Sequence, residues 1–202
     1  MAGKFKGNMC YNFIGTEKHG QFYARLPDNA KISSLEMDKY LLKEKRFPCE
    51  LELVPFKEQY KDTPAVWHDY MYNQFAYFIV SERLKAFLEE RTTQNDSVEW
   101  ISVKVRHNET VKNYYITMFS ELPDVLDEKN TTYYLGGKGI LVPCIAFKKA
   151  EKYSVFPLRM ANGGFPSLLY TTCKIKQELQ KAGFSNLIFE KAKTSFGGVV
   201  IK

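Results

Sequence analysis

Apolar and polar positions along this chain fall into short runs whose period switches between two and about 3.6, the pattern of strands interleaved with brief helices. Residues 75–91, FAYFIVSERLKAFLEER, hold the most complete example. The run Tyr77–Val80 is too apolar for a surface strand and predicts one inside a sheet. Ser81 then caps a helix that turns Leu84, Phe87 and Leu88 inward and Glu82, Arg83, Lys85, Glu89 and Glu90 toward water. After a turn at 92–96, Val98, Trp100 and Ser102 alternate along a strand to Val105. The same order returns in residues 166–192, where an offset of 91 places Ser81 on Thr172, Leu84 on Ile175, Lys85 on Lys176 and Leu88 on Leu179. Gly183 stops the second helix in the position suited to a left-handed cap. Leu187 and Phe189 then answer Val98 and Trp100.

Between and before these copies the pattern is mostly extended. Residues 1–30 read as irregular with one strand, Phe22–Leu26, stopped by Pro27-Asp28-Asn29. Ser34, with Asp38 in the following turn, opens a helix to about Arg46, which Phe47-Pro48 closes. CELELV at 49–54 alternates with period two and predicts a half-buried strand. Residues 56–74 read as an aromatic loop over the core. His107-Asn108-Glu109 is a hairpin turn into a strand at Val111–Phe119, and 122–130 is a short helix or turn. GGKG at 136–139 forms a hairpin tip, and Ile140–Phe147 a return strand with Pro143 marking an edge or bulge. Tyr153–Leu158 is extended, 161–164 a loop, SFGG at 195–198 a turn, and VVIK an edge strand. The expected fold is α+β, a mainly antiparallel sheet with two strand-helix-strand units and few short helices. Residues 1–74 pack on the core of an α+β domain at 75–202, which carries the internal repeat (75–105 and 166–192), within one structural domain.

Composition narrows the class. At 202 residues, with 45% hydrophobic and 26% charged side chains, the chain can bury a substantial core. Its longest apolar run, FAYFIV, is far short of the roughly 18 residues a bilayer span needs. MAGKFKGNMC lacks the apolar segment of an export signal, so a cytoplasmic protein without a membrane partner is expected. Cys10, Cys49, Cys144 and Cys173 show no CxxC spacing and read as reduced thiols. The net charge is +6, and residues 165–202 carry six lysines against two acids. That basic element suits an acidic protein or a phosphate backbone, and equally a solvated lysine face.

No catalytic constellation emerges. Asp124, Asp127, Glu128 and Lys129 superficially match a nuclease metal site, but crowd into six residues that read as a turn, where the chemistry needs groups converging from separate strands. Gly136-Gly137-Lys138-Gly139 lacks phosphate-loop spacing and a following helix. His19, His68 and His107 are scattered, and Ser81 lacks the flanking glycines of a nucleophile elbow. No enzyme, cofactor or metal is therefore expected.

The order of an apolar strand, SERLKAFLEE, a V-x-W strand, NYYITMFSELPDVLD, an I-A-F strand, F-P-L and a capped helix followed by L-I-F resembles bacterial immunity proteins of the Imm-eleven type. These domains are found beside polymorphic, contact-delivered toxins. The similarity covers roughly residues 75–192. It implies a protein that binds the C-terminal domain of a cognate toxin and blocks it stoichiometrically, through aromatic or charged anchors. The interface candidates are Tyr60, Trp67, His68, Tyr70 and Tyr72, with Lys174, Lys181, Lys191 and Lys193. The aromatic group would equally serve as a roof over the core. The alternative function is a basic nucleic-acid or anionic-surface binding module; against it, the basic residues are not interleaved with the aromatics.

Overall fold

Ser81 sits where an extended run must become a helix, and its hydroxyl accepts the Leu84 N–H at 3.2 Å. The computed structural model, which describes residues 9–14, 22–135, 139–158 and 168–201, shows that switch twice. Strands β1 to β7 are Cys10–Ile14, Phe22–Arg25, Leu51–Pro55, Tyr70–Met71, Ile79–Ser81, Val98–His107 and Thr110–Phe119. Strands β8 to β11 are Thr132–Tyr133, Ile140–Val142, Ile145–Ala146 and Val155–Pro157, and β12 to β15 are Leu169–Thr172, Ile188–Lys191, Thr194–Phe196 and Val199–Ile201. Helices α1 to α4 are Ser34–Glu44, Glu82–Glu89, Phe147–Ala150 and Cys173–Ala182. The fold is α+β and dominated by mostly antiparallel sheet.

Both predicted strand-helix-strand units share one topology. β5 and β6 flank β7, which runs antiparallel to both, so they are parallel to each other and α2 makes the crossover between them. β12 and β13 flank β1 in the same way, with α4 as the crossover. Ser81 and Thr172 are the two helix caps, although only Ser81 makes a side-chain capping bond. Leu84 and Leu88 are buried on α2, as Ile175 and Leu179 are on α4.

The first unit lies in a six-stranded sheet of order β2-β3-β6-β7-β5-β4, the second in a four-stranded sheet of order β11-β12-β1-β13. Three apolar clusters fill the spaces. Met37 and Leu41 of α1 pack on one face of the larger sheet, against Leu51, Ile79, Val103 and Ile116. Its other face supplies Phe78 and Val80 to a second cluster, which takes in both crossover helices and Phe13, Val155 and Leu169 of the smaller sheet. The far face of the smaller sheet, with Cys10, Phe156 and Tyr170, meets Val125, Ile145 and Phe147 in a third.

Several elements differ from the sequence reading. Residues 10–14 are an inner strand of the second sheet rather than irregular, and their pairing partners lie about 160 to 180 residues away, where no local pattern signals them. The α1 cap is Ser33, whose N–H and hydroxyl both donate to Glu36, while Asp38 accepts from Tyr77 instead. The aromatic loop contains β4, and of the two readings of 122–130 the structure takes the turn, closed by the Asn130 N–H on the Asp127 carbonyl. The expected return strand breaks at Pro143-Cys144 into β9 and β10 and passes into α3, since proline cannot donate to a ladder. Of the predicted tip at 136–139 only Gly139 is described, its carbonyl accepting the Tyr134 N–H at 3.0 Å; residues 136–138 and the loop at 161–164 lie outside the described residues.

Phe13 carries the contact between the sheets, with its ring centroid 5.1 Å from both Phe78 and Phe189. Phe13→Ala should cost about 3–5 kcal/mol in urea unfolding. Phe56→Ala, at a side chain 47% exposed, should cost under about 1 kcal/mol. Equal losses would show that the two sheets do not share a core.

Candidate partner-binding surface

Asp69, between the aromatic stretch and β4, fastens the two units together. Its carboxylate accepts from Arg83 at 2.7 and 3.2 Å, from the Ser81 hydroxyl at 2.7 Å, and from the Ser185 N–H and hydroxyl at 2.9 and 3.0 Å. The Asp69 N–H returns a bond to Ser185 Oγ at 2.9 Å, and the Asp69 carbonyl accepts from Ser81 N–H at 2.8 Å. Arg83 also donates to the Gly183 carbonyl at the end of α4 and lies 4.3 Å from the Phe184 ring centroid. One carboxylate thus joins the start of α2 to the finish of α4. Burial pushes Asp69 upward, but bonds from Arg83, Ser185 and Ser81 outweigh it and hold the carboxyl at about 2.

This clamp sets where the predicted aromatics point. His68 is buried, and its carbonyl accepts the Tyr114 hydroxyl at 2.9 Å. Tyr70 packs 5.0 Å from Phe78, and burial pushes its phenol up to about 12. Its backbone is tied to Ser185 and to the Asn186 side chain, which brings the aromatic stretch against the end of α4. Trp67 is half-buried, stacked on Tyr114 with Lys112 Nζ 4.8 Å from its ring centroid. Tyr72 packs edge-on against Phe56, and Tyr60 lies half-buried in a single 3-10 turn. The stretch therefore presents the outer parts of Tyr60, Trp67 and Tyr72, while His68 and Tyr70 serve packing.

The predicted lysines divide similarly. Lys174 and Lys181 are exposed on α4, opposite buried Ile175 and Leu179, and Lys191 is exposed on the edge strand β13. Lys193 is half-buried and donates to the Asn130 carbonyl at 2.5 Å. It thereby ties the basic C-terminal element to the root of the β8–β9 hairpin. That hairpin escaped the sequence reading as a surface. Tyr133, Tyr134, Leu135, Leu141 and Val142 are all exposed there. The available signal was the apolar triplets YYL and ILV, whose consecutive rather than alternating positions leave a strand apolar on both faces.

Ser81, Asp124 and Asp127, weighed above for chemistry, are engaged in structural bonds. Ser81 is held by Asp69 and caps α2. Asp127 accepts from Asn130 and Ser195 and organises a turn, and Asp124 pairs with Lys149 at 2.9 Å. All four cysteines are free thiols, and burial pushes Cys10 up to about 12. Among the described residues no group of three or more His, Cys, Asp or Glu side chains could hold a metal ion. No described helix is long and apolar enough to cross a membrane. A cavity of about 740 Å³ beside α1 has Lys31, Lys39 and Lys43 on its lining and includes none of the predicted interface residues.

Comparison with protein-family models gives a match to the immunity protein family (Imm11) over residues 15–157, well over half of the chain. The chain belongs to the Imm11 immunity protein family. The Imm11 match begins at residue 15 rather than 75 and stops at 157 rather than 192, so it takes in α1 and strands β2 to β4, which precede the span of the resemblance. Asp69, the aromatic stretch and the β8–β9 hairpin fall inside the Imm11 span; α4, β13 and the four lysines fall beyond it. No curated protein gives a match.

Asp69 is only 12% exposed, so the lowering of its pKa feeds into stability. A carboxyl lower in the folded than in the unfolded state stabilises above its unfolded value, near 4, and loses that contribution as pH falls toward 2. Asp69→Asn should therefore cost roughly 2 kcal/mol at neutral pH, with the gap to wild type closing between about pH 4 and pH 2. Urea unfolding across that range checks it; a gap independent of pH would show that the charge contributes nothing.

Proposed function

We propose that this protein binds the C-terminal domain of a cognate bacterial toxin directly and blocks it as a stoichiometric complex, without catalysis, in the cytoplasm of the cell it protects. Membership of the immunity family over residues 15–157 carries the reading. The use of the candidate catalytic groups as structural ties supports it, because inhibition by occlusion needs only a rigid complementary surface. Lys174, Lys181 and Lys191 favour a partner with an acidic face. A toxin that is a nuclease would then be met outside its nucleic-acid groove, since a net charge of +6 and a basic C-terminal element are the reverse of the carboxylates that would mimic DNA.

The test is co-expression with the toxin domain encoded beside this gene. Growth inhibition should be relieved and the two proteins should co-elute as one complex. Lys174→Glu combined with Lys181→Glu should slow association roughly tenfold at low salt, because exposed charges steer encounter. Absence of both rescue and co-elution would refute the reading. Salt-sensitive binding of a short oligonucleotide in place of the toxin would favour the nucleic-acid alternative.

A further inference from the structure

Helix α1 carries two stripes. Met37 and Leu41 are buried against the larger sheet, whereas Glu36, Lys39, Tyr40 and Lys43, spaced at three and four residues, share another side. That second stripe is one wall of the cavity of about 740 Å³. Pro27, Ala30 and Ile32 of the segment before the helix, and Pro48 and Cys49 of the segment after it, complete the enclosure. Backbone bonds fix both segments. The Ala30 N–H donates to the Pro27 carbonyl at 2.9 Å, and the N–H of Lys45, left-handed at φ 53°, donates to the Leu41 carbonyl at 3.0 Å as the chain turns back. A preformed concavity of this size falls within the roughly 300–1,000 Å³ of ligand-holding pockets and needs little ordering when it is filled.

Floor and rim differ in character. Pro27, Ala30, Ile32, Tyr40 and Cys49 are half-buried, and Lys31, Lys39 and Lys43 stand exposed around them. Glu36 is the only carboxylate among the described lining residues, and its Oε2 is taken by the Ser33 N–H and hydroxyl at 3.1 and 2.6 Å. Outside the lining, Glu44 answers Lys43 at 3.4 Å, and Asp38 is turned to the Tyr77 hydroxyl. Arg46 brings a further cation, donating to the Tyr40 hydroxyl at 3.2 Å. Among the described residues neither Lys31 nor Lys39 forms an ion pair. Cations therefore outnumber carboxylates around an apolar floor.

That combination specifies an apolar side chain flanked by carboxylates, because a cationic rim rewards acidic groups and repels basic ones. A phosphate backbone would also meet the lysines. Tyr40, however, is the only aromatic among the described lining residues and Arg46 holds its hydroxyl, which leaves no stacking platform for bases. The pocket lies wholly within residues 15–157, whereas Lys174, Lys181 and Lys191 lie beyond them. The part of the chain that places it in the immunity family thus builds this pocket entire, which favours the toxin over a partner peculiar to the C-terminal element.

Resting on the function proposed above, we propose that the α1 pocket is the docking site for the toxin domain. An apolar side chain of the toxin enters between Ala30, Ile32 and Cys49, and carboxylates beside it meet Lys31, Lys39 and Lys43. The α4 lysines steer the approach, and the α1 lysines hold the complex.

The experiment measures binding of a catalytically inactivated toxin domain to wild type, to Lys31→Glu/Lys39→Glu and to Ala30→Trp, which fills the pocket. Affinity should fall about 30-fold in each variant, and in the charge-reversed one the loss should lie mainly in the dissociation rate. Wild-type Cys49, followed on its own peptide by mass spectrometry, should react with N-ethylmaleimide at least about tenfold more slowly in the complex, a readout that no variant's folding can disturb. Unchanged affinity in either variant, or Cys49 reacting equally fast in free and bound protein, overturns the pocket's role while the proposed function stands. A loss confined to the association rate and abolished by salt makes these lysines steering groups alone and overturns it too. No binding by wild type overturns the function and the docking site together. A wild-type dimer in sedimentation that either variant dissociates assigns the pocket to a second copy and overturns the proposal, and an oligonucleotide that shields Cys49 in the toxin's place does so likewise.

Discussion

Asp69 is where the fold is tied. Each split unit can complete its own sheet, but the relation between them rests on few contacts of fixed geometry, because an apolar cluster tolerates sliding that a carboxylate with five donated bonds does not. Asp69 places the first turn of α2 against the last turn of α4, and Arg83 closes the arrangement by reaching the Gly183 carbonyl. Asp96 performs a parallel task elsewhere. It is buried and accepts the N–H groups of Ser154 and Val155 at 2.6 and 2.9 Å while ordering its own turn through Thr93. Arg91 adds a third tie to Glu178 at 2.7 Å. The shared cluster supplies the apolar burial between the sheets, and these bonds choose one packing among those that cluster would accept.

The second unit is completed by a strand from the far side of the sequence. Cys10 pairs with Thr172, and Tyr11 with both Thr171 and Lys191, so the smaller sheet closes only when distant segments have met. The first unit, with its neighbouring strands β6 and β7 joined at Asn108, is assembled from local contacts. Loop-closure entropy therefore weighs more heavily on closing the smaller sheet around β1 than on the β6–β7 hairpin.

The helix caps, the long β6–β7 hairpin and the two crossover helices were legible in the sequence, because each is written in residues close together. Ser81, Gly183 and the Leu84/Leu88 and Ile175/Leu179 pairs sit where the pattern puts them. What escaped depends on distant partners. Residues 10–14 give no local sign of the strands they lie between, and Asp69 has donors at positions 81, 83 and 185 that no window contains. The surface was the least legible part. His68 and Tyr70 look the same in sequence as Tyr72, yet the clamp turns them inward. Leu135 and Leu141 look like core and face water, since the strands that would cover them pair elsewhere.

With Ser81, Asp124 and Asp127 engaged in structural bonds, the scaffold suits the inhibition by occupancy proposed above, and occupancy has a quantitative signature. Titrating a fixed amount of active toxin domain with this protein, and reading residual toxin activity at several times, tests that account most directly. It predicts activity falling in proportion to added protein and vanishing at one equivalent, unchanged with time. Loss of activity that deepens with time at a tenth of an equivalent would reveal turnover and contradict it.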